Sequence, residues 1–227
     1  MSGKTVLVGL SLGLVVVVGL FVWRAHSERD TRRDAARAEL AKYERVQHDI
    51  DANARRLSAE YDALDREERK ALASGTKRHD EAVRGGQSTA SNLALAKREQ
   101  AGVLAAESHL ENMEERLDTF ASISARVLGD DAVRQYRTDT QAWTTSLRLH
   151  FGNWSRAITD IVDADIMEMR GSESSSGASD AAHLFAASDE AEARAAVQVR
   201  AVSNDAKQIR SAIRARIAGA KARLARI

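Results

Sequence analysis

Apolar residues recur along most of this chain at alternating spacings of three and four, the pattern of helices that each turn one face to a partner. The first stripe runs Leu40, Tyr43, Gln47, Ile50, Ala54, Leu57, Tyr61 and Leu64, and fades at Glu68 and Ala71. Gln47 and Glu68 interrupt it, so the seam is not that of an ideal two-stranded zipper. Ser74-Gly75 and then Gly85-Gly86-Gln87-Ser88 punctuate the pattern, glycine permitting a turn and serine capping the next helix. A second stripe carries Leu93, Ala96, Val103, Leu110, Met113, Leu117, Phe120 and Val127 and stops at Gly129. Asp130 is the expected N-cap of a third helix, whose broad face holds Val133, Tyr136, Trp143, Leu147, Phe151, Trp154, Ile158, Ile161 and Val162. The stretch Gly171 to Asp180 (GSESSSGASD) predicts a loop. Beyond it Phe185, Ser188, Ala195, Val199, Val202, Ala206, Ile209, Ile213, Ile217, Ala220, Leu224 and Ile227 form a fourth stripe held almost to the last residue.

One segment breaks this pattern. After a short tail at 1–4, the residues from Thr5 to Trp23 are uncharged and mostly apolar. As a helix, nineteen residues cover about 28 Å, close to the hydrocarbon thickness of a bilayer. Phe21 and Trp23 fall where an interfacial aromatic belt belongs. The run is too long for a cleaved signal peptide, and no small-x-small cleavage site follows it, so a retained transmembrane helix is predicted. Gly9 and Gly13 form a G-x-x-x-G pair of the kind through which such helices associate.

The sequence therefore predicts an all-α protein: a transmembrane helix at 5–23, then a bundle at 24–227 with helices near 28–74, 88–128, 130–170 and 180–227 and a loop at 171–180. Helices of 40 to 50 residues are about 60 to 75 Å long, and short turns between them favour antiparallel packing as a four-helix bundle or coiled-coil domain. Two extended hairpins, or a core completed only in an oligomer, satisfy the same pattern.

Composition narrows the class further. The 227 residues include no proline and only 4% aromatics, as expected of long helices. With 34 basic and 33 acidic residues the chain is nearly neutral, which predicts no nucleic-acid partner. The absence of cysteine excludes disulfides and thiolate chemistry. The six histidines never pair at i, i+3 or i+4; Asp180 with His183 is read as a cap beside a solvated imidazole, and Asp160, Asp163, Asp165 and Glu168 as a solvated helix face. No phosphate loop, nucleophile elbow or triad motif is present in the sequence. The expectation is a protein without metal, cofactor or catalytic activity.

Two features remain as candidate contact surfaces. Tyr136, Trp143, Phe151 and Trp154 concentrate the soluble part's aromatics on the third helix, where they are read as core or as a ligand or partner face. From Ala206 onward come Lys207, Arg210, Arg214, Arg216, Lys221, Arg223 and Arg226 without one acid. This basic amphipathic helix is read as a contact to anionic headgroups. More cations follow the span than precede it, which by the positive-inside rule puts the helical domain on the cytoplasmic face, although large domains are exported regardless of charge.

In the order of its parts alone, the chain resembles single-span coiled-coil scaffolds of bacterial membranes, the four-helix sensor ectodomains of chemoreceptors, and inner-membrane subunits of phage lysis systems. No motif residue is shared with any of them. The leading expectation is a membrane-anchored scaffold that self-associates as a homo-oligomer or docks a helical partner. The alternative is a membrane-tethered sensor or ligand-binding bundle that uses the aromatic face of helix three for a small molecule.

Overall fold

In the computed structural model the backbone is described for residues 3–86, 88–171 and 177–227, and the side chains for 23, 24, 26–86, 88–171 and 181–227. Four helices, α1 (Gly3–Val83), α2 (Thr89–Leu128), α3 (Asp130–Met169) and α4 (Gly177–Ala225), account for nearly all of these residues, and no strand occurs among them. Among the described residues no helix is long and apolar enough to cross a membrane. The expected span at 5–23, with its Gly9 and Gly13, lies outside the described side chains apart from Trp23, which is exposed.

The helix boundaries differ from the sequence reading at three places. α1 runs through Ser74-Gly75 to Val83, and the positive φ of 70° that ends it belongs to Gly85. The N-cap of α3 is Gly129 rather than Asp130; its φ of 88° turns the chain out of α2 directly into α3, and Asp130 and Asp131 supply first-turn acids that complement the helix dipole. α4 begins at Gly177, inside the segment read as a loop. Ser88 caps α2 as expected, its hydroxyl accepting from the Ser91 amide.

The chain forms two units, His48–Arg210 and Met1–Gln47 with Ser211–Ile227. In the larger unit, interhelical polar pairs fix both direction and register. Asn53 Nδ2 donates to the Arg116 carbonyl at 2.6 Å and His109 meets Glu60 at 2.8 Å, so α1 and α2 run antiparallel. Asn92 donates to Asp165 and Gln100 to Thr159, which sets α2 against α3 in the same sense. Ser146 donates to Gln198 at 2.8 Å between α3 and α4. Around these bonds pack Ile50 and Leu64 of α1, Val103, Leu110, Met113 and Leu117 of α2, Val133, Phe151 and Ile158 of α3, and Ala195, Val202 and Ile209 of α4.

α1 and α2 approach closely at Gly102, where an added Cβ would meet the Ala71 Cβ at 2.9 Å and the Glu67 carbonyl at 3.1 Å. In the smaller unit Ala36, Tyr43 and Val46 of α1 and Ile213, Ile217 and Ala220 of α4 are buried, with Arg223 bonded to Glu39 at 2.7 Å and Lys221 paired with Glu44 at 3.2 Å.

Candidate functional site

The structure divides the aromatic face predicted on α3. Phe151 is fully buried core, its ring 4.8 Å from that of His150. Tyr136 packs on Phe120 at 5.0 Å and lines a cavity of about 270 Å³ with Arg137, Thr140 and Thr144; burial pushes its hydroxyl well above the usual phenol value. Trp143 is buried and lines neither this cavity nor the next. Trp154 alone reaches a larger cleft of about 320 Å³, formed by all four helices within the larger unit.

The floor of that cleft is buried and polar. Glu99 is 2% exposed, His150 3%, Trp154 4% and Ser188 2%. The rim is exposed and carries Leu72, Thr76, His79, Asp189 and Glu192. Volume and lining match the concave, partly apolar sites in which small ligands bind.

Each floor residue is held by an identifiable contact. Glu99 projects from α2 between the other helices, where the Trp154 indole donates to Oε1 at 2.8 Å and the Arg78 guanidinium donates to Oε2 at 3.2 and 3.3 Å. It fits because position 75 is glycine: a Cβ there would lie 2.8 Å from Glu99 Oε1. Burial raises the Glu99 carboxyl above the ordinary 4.5, against the opposing pull of Trp154 and Arg78.

His150 is held from α4. The Ser188 hydroxyl donates to the His150 carbonyl at 3.1 Å, while Nδ1 lies 2.7 Å from Ser188 Oγ and 3.1 Å from the Ser188 carbonyl. With a proton on Nδ1 the ring donates to the Ser188 carbonyl; with Nδ1 bare it accepts from the Ser188 hydroxyl. Nε2 is buried and stands 3.4 Å from Glu68 Oε1, with which it forms an ion pair when the ring is protonated. Burial pulls the imidazole down, but Glu68, the Ser188 carbonyl and Glu192 outweigh it and hold the group above the ordinary 6.5.

Ser188, His150 and Glu68 thus fall in the order of a hydrolytic triad, but the geometry gives no ready nucleophile. The Ser188 hydroxyl lies within reach of the His150 carbonyl, and the residue is only 2% exposed, which keeps it from a substrate. The cleft walls are helix interiors whose amides are already bonded, so none is turned out to stabilise an oxyanion. Among the described residues no group of three His, Asp or Glu side chains is placed to hold a metal ion.

Most of these residues escape a reading of the sequence. Glu68 does register as a break in the first stripe, and Ser188 as a polar member of the fourth. Glu99 shares a helix face with Ala96, Gly102 and Val103, so a carboxylate in an apolar stripe was the available signal. His150 gave none, because its partners lie on other helices.

At the C-terminal end Lys207, Arg214, Arg216, Lys221, Arg223 and Arg226 are exposed and Arg210 is half-buried. The isoleucines between them face inward, so they are not free to enter a lipid surface. No known protein family, curated protein or solved structure matches this chain.

Proposed function

We propose that this protein is a membrane-tethered ligand-binding bundle whose site is the cleft floored by Glu99, His150, Trp154 and Ser188. The observation that carries the reading is the cleft of about 320 Å³ itself, whose floor sets the buried polar side chains of Glu99, His150 and Ser188 beside Trp154. The burial of the apolar stripes in the chain's own two units supports a bundle closed within one chain, and weighs against a scaffold that completes its core only by oligomerising.

The ligand-binding reading is tested by thermal-shift screening of the full chain in mild detergent against a small-molecule library. A ligand at about one hundred times its Kd should add about 2.7 kcal/mol of stability. Thr76→Trp, a substitution at the exposed rim, should abolish the shift by obstructing the cleft while leaving the unliganded melting temperature unchanged. A library without a single stabilising compound, or hits indifferent to Thr76→Trp, contradicts the reading.

The tether rests on the nineteen uncharged, mostly apolar residues before Arg24. The chain should stay in the membrane fraction through carbonate and high-salt washing and leave it only with detergent. Release by either wash contradicts the anchor.

A further inference from the structure

The smaller unit carries cations that no acid answers. Each acid of its α1 segment, Glu28, Asp30, Asp34, Glu39 and Glu44, already lies in ion-pair reach of a basic group of the same unit. Its α4 segment, from Ser211 onward, has no acidic side chain. Arg29, Arg32 and Arg33 of α1 and Arg214, Arg216 and Arg226 of α4 are therefore exposed and stand in no ion pair among the described residues. Lys42 and Arg45 are in the same state further along α1.

The two sets of three arginines are alike in chemistry and differ in position. Residues 26–35 of α1 are all exposed, and among the described residues Ala36 is the first of the helix to be buried. From Trp23 to Ala36 the chain advances about 20 Å as helix, so a length of α1 follows the apolar run before any partner packs on it. Arg29, Arg32 and Arg33 stand on that length, about 9, 14 and 15 Å along the helix from Trp23. Side chains of a helix lean toward its own N-terminus, which for these three is toward the apolar run. α4 is antiparallel to α1 here, because Arg223 meets Glu39 and Lys221 meets Glu44. Its side chains consequently lean the other way. The bond to Glu39 holds the Arg223 charge about 24 Å along α1 from Trp23. Arg226 is about 5 Å nearer, and Arg214 and Arg216 are further off by about 10 Å or more.

We infer that the smaller unit meets anionic phospholipid headgroups through Arg29, Arg32 and Arg33 of α1, and that the basic end of α4 stays out of their reach. This rests on the tether read from the apolar run, whose end sets Trp23 at the interface. Headgroups extend about 5 to 7 Å beyond the hydrocarbon, and exposed charges act over about 8 Å at physiological ionic strength. Together these distances reach about 14 Å from Trp23. That takes in the three α1 arginines, which lean toward the lipid, and leaves out the α4 cations, which lean away. The ordinary tilt of a membrane helix, about 20°, shortens all these heights alike and keeps their order. An anionic leaflet is also the partner that a basic segment directly following an apolar span fits, each cation near the surface strengthening the attraction about fivefold.

The experiment compares two matched variants of the full chain, reconstituted in phosphatidylcholine vesicles. One carries Arg29→Gln, Arg32→Gln and Arg33→Gln; the other carries Arg214→Gln, Arg216→Gln and Arg226→Gln. Each removes three exposed charges that stand in no ion pair, so both should fold, as far-ultraviolet circular dichroism will show. Electron spin resonance of spin-labelled phosphatidylglycerol and phosphatidylcholine then gives the relative association of each lipid with the protein. The unmodified chain should prefer phosphatidylglycerol at least about threefold at low salt, and the preference should shrink as salt is added. The α1 variant should lose most of that preference, and the α4 variant should keep most of it.

Equal losses in the two variants would show that only net charge matters, and a larger loss in the α4 variant would put the contact on α4; either overturns the inference. So does an unmodified chain without preference for the anionic lipid, which would leave these arginines to an acidic protein or nucleic-acid partner. In all three cases the tether stands, provided the chain stays in the same vesicles through a carbonate wash. Release by that wash removes the tether and this inference together.

Discussion

Phe151→Ala should destabilise the larger helical unit by about 4 kcal/mol, the largest single-residue effect expected in this protein. The ring is fully buried on α3, and its removal leaves a cavity that long, antiparallel helices close only in part. In a unit of this size the melting temperature should fall by about 8 to 16 °C. Urea unfolding of the full chain in detergent, followed by far-ultraviolet circular dichroism, is the check. A loss below about 1 kcal/mol would mean that the aromatic face of α3 lies on the surface, as a docking face would. The same variant should lose ligand affinity as well, since the neighbouring His150 ring rests against Phe151.

Arg78→Met should cost about 3 kcal/mol at neutral pH, because it strands a charged Glu99 in the cleft floor. The pH dependence follows from the direction in which Glu99 is shifted. Its folded value lies above the ordinary 4.5, so the folded state holds the proton more tightly than the unfolded chain. The stabilising contribution of that proton is fully present below 4.5 and is lost as the pH rises through the folded value. Removing Arg78 raises the folded value further. The penalty should therefore be small in acid, where Glu99 is neutral in both proteins, and should grow toward neutrality. Adding Glu99→Gln should recover most of the loss at neutral pH. A penalty independent of pH, or one that Glu99→Gln does not relieve, would show that Arg78 acts through packing of its stem and not through its charge.

The four helices were legible in the sequence because their apolar stripes are long and the chain lacks proline. The fourth stripe is the best case: Ser188, Ala195, Val202, Ile209, Ile213, Ile217 and Ala220 are all buried as their spacing predicts. Boundaries were less legible. Ser74-Gly75 reads as a break, yet helical glycine costs only about 1 kcal/mol, and the close approach of Glu99 uses that glycine in mid-helix. The site was hardly legible at all. Its parts stand on four helices, and nothing in the spacing of Glu68, Glu99, His150 and Ser188 along the chain brings them together; antiparallel register does. Trp154 was legible as an aromatic at core spacing, but its place at the cleft goes with its bond to Glu99, which fits against Gly75. The basic C-terminal helix was legible only in part, since an isoleucine stripe suits a lipid surface and a bundle core equally, and Ile209, Ile213 and Ile217 are buried in the core.

Ligand binding in the cleft depends most directly on the state of His150. Nitrogen NMR of the imidazole in the full chain, recorded through a pH titration with and without a compound found by thermal-shift screening, measures that state. The expected result is a titration above the ordinary 6.5 and a ligand that perturbs the ring nitrogens. Titration at or below the ordinary value, or ring nitrogen resonances that no cleft ligand moves, would contradict it.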